Sequence, residues 1–339
     1  VLVVSRIFPN AREPHSATFN RQQLAELGKL CDVEVLATIP WLPLSRLAGE
    51  RSRAFTLRDV PATDVIDGLQ VAHPRYLYLP RIGDAIGSPL YAASLLAPVL
   101  RRRRVDVILA TWAYPDGAAA VLLGRLLGIP VAVKVHGSDL NVLGERPVIQ
   151  THLRHTLPHA EALIAVSRAL GQRAIALGAR SERTHVVFNG VDRERFFPRD
   201  RREARRTLGL PEQGRVLTCV GRLEREKGVF DLLDAFGSLP SDVTLALVGN
   251  GSARATVEER ARAFGDRVRV LGPRPHAEVA QWLAAADVVT LPSWNEGTPN
   301  AVLEALACGR RVVAAAVGGV PDVLSSDVLG TLVPPQRPD

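Results

Sequence analysis

The chain has 339 residues, of which 47% are hydrophobic and 23% charged, enough apolar material for two ordinary domains and far from a disordered composition. No apolar run reaches about 18 residues, so no membrane-spanning helix is expected, and three scattered cysteines without a CxxC pair argue against a disulfide framework or a thiolate zinc site. The formal charge of +7 resides in the first half, where residues 1–183 carry 22 Lys/Arg against 15 Asp/Glu and residues 184–339 carry 20 of each; the bias suits an anionic surface, or simply an arginine-rich proteome.

In chain order, short Val/Ile/Leu/Ala runs alternate with helical patterns, the signature of an α/β protein with parallel sheets. The first half offers strands at 1–6, 32–37, 106–111, 131–136, 162–166 and 184–188, with helices at 19–30 and 117–128. A second series follows at 215–221, 243–249, 267–272, 287–291 and 311–315. These strands are continuously apolar, as expected when helices cover both faces. The polar, arginine-rich segment FNGVDRERFFPRDRR (188–202) marks the boundary, giving domains at 1–190 and 191–339. Two Rossmann-like domains facing a cleft are expected, with function at the carboxyl ends of the strands.

Several strand ends carry suggestive side chains. VKVHGSDLN (133–141) places His136 at the end of a strand, able to donate a hydrogen bond or to act as acid or base, or to serve structure alone. TWAYPDG (111–117) and the polar loop 6–20 end neighbouring strands. SPLYAASLLAPVLRRRR (88–104) ends in Arg101, Arg102, Arg103 and Arg104, which suit a helix C-terminus or anionic lipid headgroups. In the second half, Arg222 and Lys227 in GRLEREKG precede a helix opened by Gly228, a ready anion site or a solvated loop. Gly249 and Gly251 in VGNGSAR permit a tight turn or a close approach to a ligand. Arg274 stands in the Pro-stiffened loop LGPRPH, suited to a base or phosphate contact or equally to an exposed loop cation.

The stretch SWNEGTPNAVLEALACG (293–309) holds two glutamates eight positions apart. Thr298 as N-cap, Pro299 at N1 and Gly309 at C′ predict a helix over 299–308. Glu296 then lies before its N-terminus, among the amides of Gly297, Thr298 and Asn300. Glu304 lies within an apolar run, where a carboxylate needs partners or solvent. On an ideal helix Glu304 stands roughly 8–10 Å along the axis from the N-terminal loop, a span suited to two ends of one ligand. No metal-ligand cluster, DxD pair or GxxxxGK[ST] loop appears.

In order, FNGVDRERFFP, VGRLEREKG, LVGNGSAR, VLGPRPHAEV and PSWNEGTPNAVLEALACGRRVVAAAVGGVPDVL resemble the retaining family-4 GT-B glycosyltransferases, with the likeness strongest over 185–322. The resemblance implies a nucleotide-diphosphate sugar donor, UDP- or GDP-linked, with no metal and no cofactor. It implies Arg222 and Lys227 at the diphosphate, Glu296 at the transferred sugar, Glu304 at the ribose and Arg274 in the base loop. Gly297 and Thr298 would complete the sugar–phosphate pocket, and His136 would serve the donor sugar. A saccharide or lipid-linked acceptor, past the loop 9–18, is the implied partner, in surface polysaccharide or glycoconjugate synthesis.

Two features depart from the family. Ser16-Ala17 stands where many members have a glycine pair, and the C-terminal bracing helices are not in the sequence; with Met absent throughout as well, a longer native chain is expected at both ends. We expect no signal peptide, no nucleic-acid partner and a cytoplasmic protein, peripheral at the inner membrane face through Arg101–Arg104. A nucleotide-sugar epimerase of similar architecture and a non-catalytic nucleotide-sugar binder are the alternatives.

Overall fold

A computed structural model describes residues 1–14, 16–42, 52–79, 83–102 and 104–338; Arg103 lies outside the described residues. The chain divides into two compact units, Val1–Val187 and Phe188–Asp339. In the first unit the strands are β1 Leu2–Ser5, β2 Glu34–Ala37, β3 Ile39–Trp41, β4 Thr63–Ile66, β5 Leu69–Ala72, β6 Arg75–Leu77, β7 Ile108–Ala110, β8 Val131–Val135, β9 Ala162–Ala165 and β10 Thr184–Val186. Eight of them form a sheet in the order β10-β9-β8-β7-β1-β2-β5-β4, and β3 pairs separately with β6. All pairs are parallel except β4 with β5.

The β4–β5 hairpin is absent from the expected strands although its turn is written in VIDGLQV. Asp67 and Gly68 both take positive φ, 51° and 80°, as the two-residue hairpin turn that twists with its strands requires. Buried Val3, Val35 and Val71 lie against Phe8 and Leu24 on one face. Val4, Ile108, Val133 and Leu163 meet Tyr91, Leu95, Val121 and Leu123 in the larger core cluster. Each fully buried side chain of this size contributes about 1.5–3 kcal/mol.

The helix Thr18–Leu27 begins after Ala17, which adopts the left-handed conformation at φ 44° and ψ 50°. Alanine is destabilised there by roughly 1–2 kcal/mol. A glycine there would suffer no such strain.

In the second unit the strands are β11 Arg215–Val220, β12 Val243–Val248, β13 Val268–Gly272, β14 Val288–Leu291, β15 Arg311–Ala315 and β16 Gly330–Val333. They form one parallel sheet in the order β13-β12-β11-β14-β15-β16. The central β11 is therefore flanked by β12 and β14, and the loops after these strands come together at one sheet edge. A buried arginine closes the far end. Arg205, 2% exposed, donates to the carbonyls of Ala285, Glu212 and Gly214 and to the Asp287 carboxylate, so its charge is fully partnered.

Candidate active site

The loop after β11 ends in a short turn, Arg225–Lys227, and Gly228 at φ 67° then opens the helix Val229–Phe236. A Cβ on Gly228 would stand 2.0 Å from the Pro292 carbonyl oxygen, so only glycine lets the loops after β11 and β14 touch. Lys227 uses this proximity. Its Nζ lies 2.6 Å from Glu296 Oε1, with the two side chains 21% and 12% exposed. A charge-assisted bond this short and this sheltered leaves either partner costly to orphan. Arg222, by contrast, projects into solvent, 66% exposed, and reaches Glu226 only at 3.9 Å.

The loop carrying Glu296 is anchored at several points. Trp294 donates its backbone N–H to the Glu226 carbonyl at 2.9 Å and its indole N–H to Asp231 Oδ2 at 2.6 Å. On the other side Gly319 N–H donates to the Gly297 carbonyl at 3.0 Å. Gly318, at φ 53°, lies so close that a Cβ would stand 1.8 Å from the Glu296 carbonyl oxygen. Trp294, Asp231 and Gly318 are not among the expected site residues. VGGVPD and the tryptophan are the available signals, but their partners lie far away in sequence.

The helix after this loop spans Asn300–Ala307 and differs by one residue from the expected start. Pro299, not Thr298, occupies the N-cap position, because its carbonyl accepts from Val302 and Leu303 N–H. Gly309 holds C′ as expected: at φ 70° it donates to Leu306, and Arg310 donates to Ala305, the paired bonds of a Schellman ending. Asn300 accepts from Asn189 Nδ2 through its side-chain oxygen at 3.0 Å. Thr298 is buried, 9% exposed.

Glu304 is half-buried on this helix, between buried Val302 and Ala305, and its carboxylate has no hydrogen-bond or ion-pair partner among the described residues. Burial pushes its pKa up to about 7, against the opposing pull of the Arg195 charge. Donors brought by a ligand would satisfy such a group and favour its ionised form.

Gly249 and Gly251 have a nearer explanation than a ligand. Cβ atoms there would stand 1.8 Å from the Gly221 oxygen and 2.2 Å from the Leu223 oxygen, so the loop after β12 is glycine-rich to stack on the loop after β11. Leu223 and Ala253 N–H groups complete that junction by donating to Asn250 and Leu223 carbonyls at 3.0 Å each. Arg274 pairs with Glu278 at 3.3 Å and is 37% exposed.

In the first unit His136 follows β8, with its ring 4.9 Å from that of Phe19 and stacked on Trp112 at 5.6 Å. Burial, with the Lys134 charge beside it, pushes its pKa down to about 3. The imidazole is therefore neutral near pH 7, a hydrogen-bonding group rather than a cation. Its Nε2 and the Trp112 Nε1 are buried without partners among the described residues. Fully buried Asp139 accepts from the N–H groups of Ala113, His136, Gly137 and Leu140 at 2.8–3.2 Å, tying the strand end of β8 to that of β7. The TWAYPDG loop is itself buried throughout Ala113–Gly117, with Asp116 pushed up to about 6 by burial against the nearby Arg6 charge.

The arginine cluster is partly absorbed into the fold. Arg102 pairs with Glu34 at 2.8 Å and is 17% exposed, while Arg104 pairs with Asp106 at 2.8 Å and is 85% exposed. No helix of the described residues is long and apolar enough to cross a membrane.

Comparison with known proteins gives this architecture a family. Residues 21–195 match the model for Glycosyltransferase Family 4, and residues 214–339 that for Glycosyl transferases group 1. The chain is 31% identical over 330 residues to TuaC of Bacillus subtilis, assigned as a teichuronic acid biosynthesis glycosyltransferase, covering 94% of this chain and 82% of that one. It is also 31% identical over 343 residues to D-inositol 3-phosphate glycosyltransferase 1 of Catenulispora acidiphila, covering 92% and 76%. Among solved structures, sucrose-phosphate synthase of Thermosynechococcus elongatus aligns with a TM-score of 0.79 at 20% identity, covering 99% of this chain and 86% of that one. Anabaena HepE in complex with UDP aligns at 0.72 and 23% identity with the same coverage; both likenesses concern the fold, which is GT-B. The chain belongs to glycosyltransferase family 4 and is a glycosyltransferase.

Proposed function

We propose that the second unit holds a nucleotide-diphosphate sugar, UDP- or GDP-linked, and that the enzyme transfers the sugar with retention and without a metal. The observation that carries this reading is the half-buried Glu304 carboxylate, unpartnered among the described residues, on the helix that follows the loop whose Glu296 pairs with Lys227. Glu304 accepts from the ribose hydroxyls, Arg222 and Lys227 neutralise the diphosphate, and Glu296 meets hydroxyls of the transferred sugar. Gly297, Thr298 and Asn300 line the sugar–phosphate end, and Arg274 lies toward the base. The N–H groups opening the helix Val229–Phe236 add positive potential to the same place. Gly249 and Gly251 support this surface by stacking the two loops.

In this mechanism the bond from the anomeric carbon to the phosphate oxygen breaks as the acceptor hydroxyl approaches from the same face. The acceptor proton passes to the leaving phosphate, so no separate general base is required. Preorganised cations stabilise the departing diphosphate. We assign the acceptor, a saccharide or lipid-linked saccharide in glycoconjugate synthesis, to the first unit. His136 offers a neutral imidazole to hydroxyls of the donor sugar. The B. subtilis relative, assigned to teichuronic acid biosynthesis, supports glycoconjugate synthesis as the setting. Exposed Leu100, Leu122 and Leu126, with Arg101 and Arg104, support contact with an anionic membrane face.

The test is turnover of UDP-glucose, UDP-N-acetylglucosamine and GDP-mannose with excess EDTA present. We expect at least one donor to be consumed at an unchanged rate, giving an α-linked product from an α-linked donor. Inversion, or a strict requirement for added divalent metal, overturns the mechanism.

Glu304 also predicts a pH dependence. Its folded pKa of about 7 exceeds the unfolded value of 4.5, so its contribution to stability is present below about pH 4.5 and lost as pH rises through 7. Ribose hydroxyls favour the ionised form, so nucleotide binding regains that loss. Affinity should therefore rise with pH up to about 7 and then level off, relative to a Glu304→Gln control. Parallel pH profiles for the two proteins, in calorimetric titrations, contradict it.

A further inference from the structure

Lys227 and Glu296 satisfy one another at 2.6 Å, yet the proposed chemistry asks Lys227 to serve a diphosphate. A phosphate dianion competes for the ammonium, and the loop bearing Glu296 then needs another anchor if its carboxylate is to stay in place. That anchor is two residues away. The Trp294 indole donates to Asp231 Oδ2 at 2.6 Å, and its backbone N–H donates to Glu226 at 2.9 Å. The Arg225 guanidinium lies 5.9 Å from the Trp294 ring centroid, within cation–π range. Asp231 belongs to the first turn of the helix Val229–Phe236, so Trp294 is fastened to the same segment, 225–231, that carries Lys227.

We propose that the Trp294–Asp231 hydrogen bond is a positioning latch: it holds the Glu296 carboxylate at the transferred sugar while Lys227 is engaged by the diphosphate. The latch rests on the proposed role of Glu296 at that sugar. Neither Trp294 nor Asp231 touches substrate in this scheme. Their work is to keep the loop after β14 moving as one piece with the loop after β11. Pro292 against Gly228 supplies the steric floor of that joint, and the indole N–H to carboxylate bond supplies its direction. A bond to an ionised acceptor is roughly twice as strong as a neutral one, so its loss should be measurable.

The experiment compares Trp294→Phe, Asp231→Ala and Asp231→Asn in the full chain. The readouts are kcat and KM with UDP-glucose, or with GDP-mannose if that is the donor the wild type consumes, together with UDP and GDP affinity and thermal melting. Trp294→Phe and Asp231→Ala should each lower kcat about ten-fold or more, with donor KM and nucleotide affinity near wild type and melting lowered by a few degrees at most. Asp231→Asn keeps a neutral acceptor oxygen, about half as strong, and should bring kcat back to within about three-fold of wild type.

A Trp294→Phe variant with wild-type kcat, beside a Glu296→Ala variant that has lost it, overturns the latch. So does an effect confined to KM, which would put Trp294 on the substrate, or one accounted for by unfolding at the assay temperature. Asp231→Asn as impaired as Asp231→Ala overturns it too, because charge rather than the hydrogen bond would then matter. Wild-type turnover in Glu296→Ala itself is a separate result, which removes the role of Glu296 on which the latch depends.

Discussion

Glu296→Ala is expected to lower turnover about 10–100-fold while leaving UDP or GDP affinity within a few-fold of wild type. The loss corresponds to ~1.5–3 kcal/mol, the size of one charge-assisted contact. The sharper expectation concerns Lys227. Each partner of the 2.6 Å pair shelters the other, at 21% and 12% exposure, so removing one leaves a poorly solvated charge. The single variants should each carry that penalty, and the double variant, which orphans no charge, should escape it. A double-mutant cycle should therefore show coupling of about 1–3 kcal/mol in kcat/KM. Additive effects would mean that the two side chains act independently and that the ion pair is incidental.

Gly318→Ala should be at least as damaging, although it alters no charged group. Its Cβ would stand 1.8 Å from the Glu296 carbonyl oxygen, and its φ of 53° is one that alanine takes only at a cost. Either the VGG loop or the Glu296 loop must move. Displacements of about 1 Å in catalytic groups reduce rates on the order of 100-fold, and the forced packing costs about 1–3 kcal/mol of stability. Gly190→Ala, where nothing lies within 4 Å, is the control and should behave as wild type. A Gly318→Ala enzyme with normal turnover would show that the Glu296 loop tolerates movement and that its placement does not limit the reaction.

The order of elements is legible in the sequence because both faces of the central strands are covered, so strands such as VTLALV and RVVAA read as unbroken apolar runs. The β4–β5 hairpin escapes because it lies at a half-exposed sheet edge where its apolar pattern is weak, although Asp67-Gly68 announces the turn. Glu304 stands out as a carboxylate because its neighbours along the helix are apolar. The glycines of VGNGSAR show the limit. Sequence reveals that something must come close, but not that it is the backbone of Gly221 and Leu223 rather than a ligand. Lys227 and Glu296 are each visible alone. Their pairing, across 69 positions, depends on β11 and β14 lying side by side, as does the Trp294–Asp231 bond.

If the second unit is a nucleotide-diphosphate site, Glu304 grips one end of the ligand and the Arg222–Lys227 loop grips the other. Calorimetric titration of UDP, GDP and ADP into the wild type and Glu304→Ala at pH 8 decides the matter. We expect one-to-one binding of at least one of the three, weakened about ten-fold or more in Glu304→Ala. Absence of binding by all three, or equal affinity in the two proteins, would rule that site out.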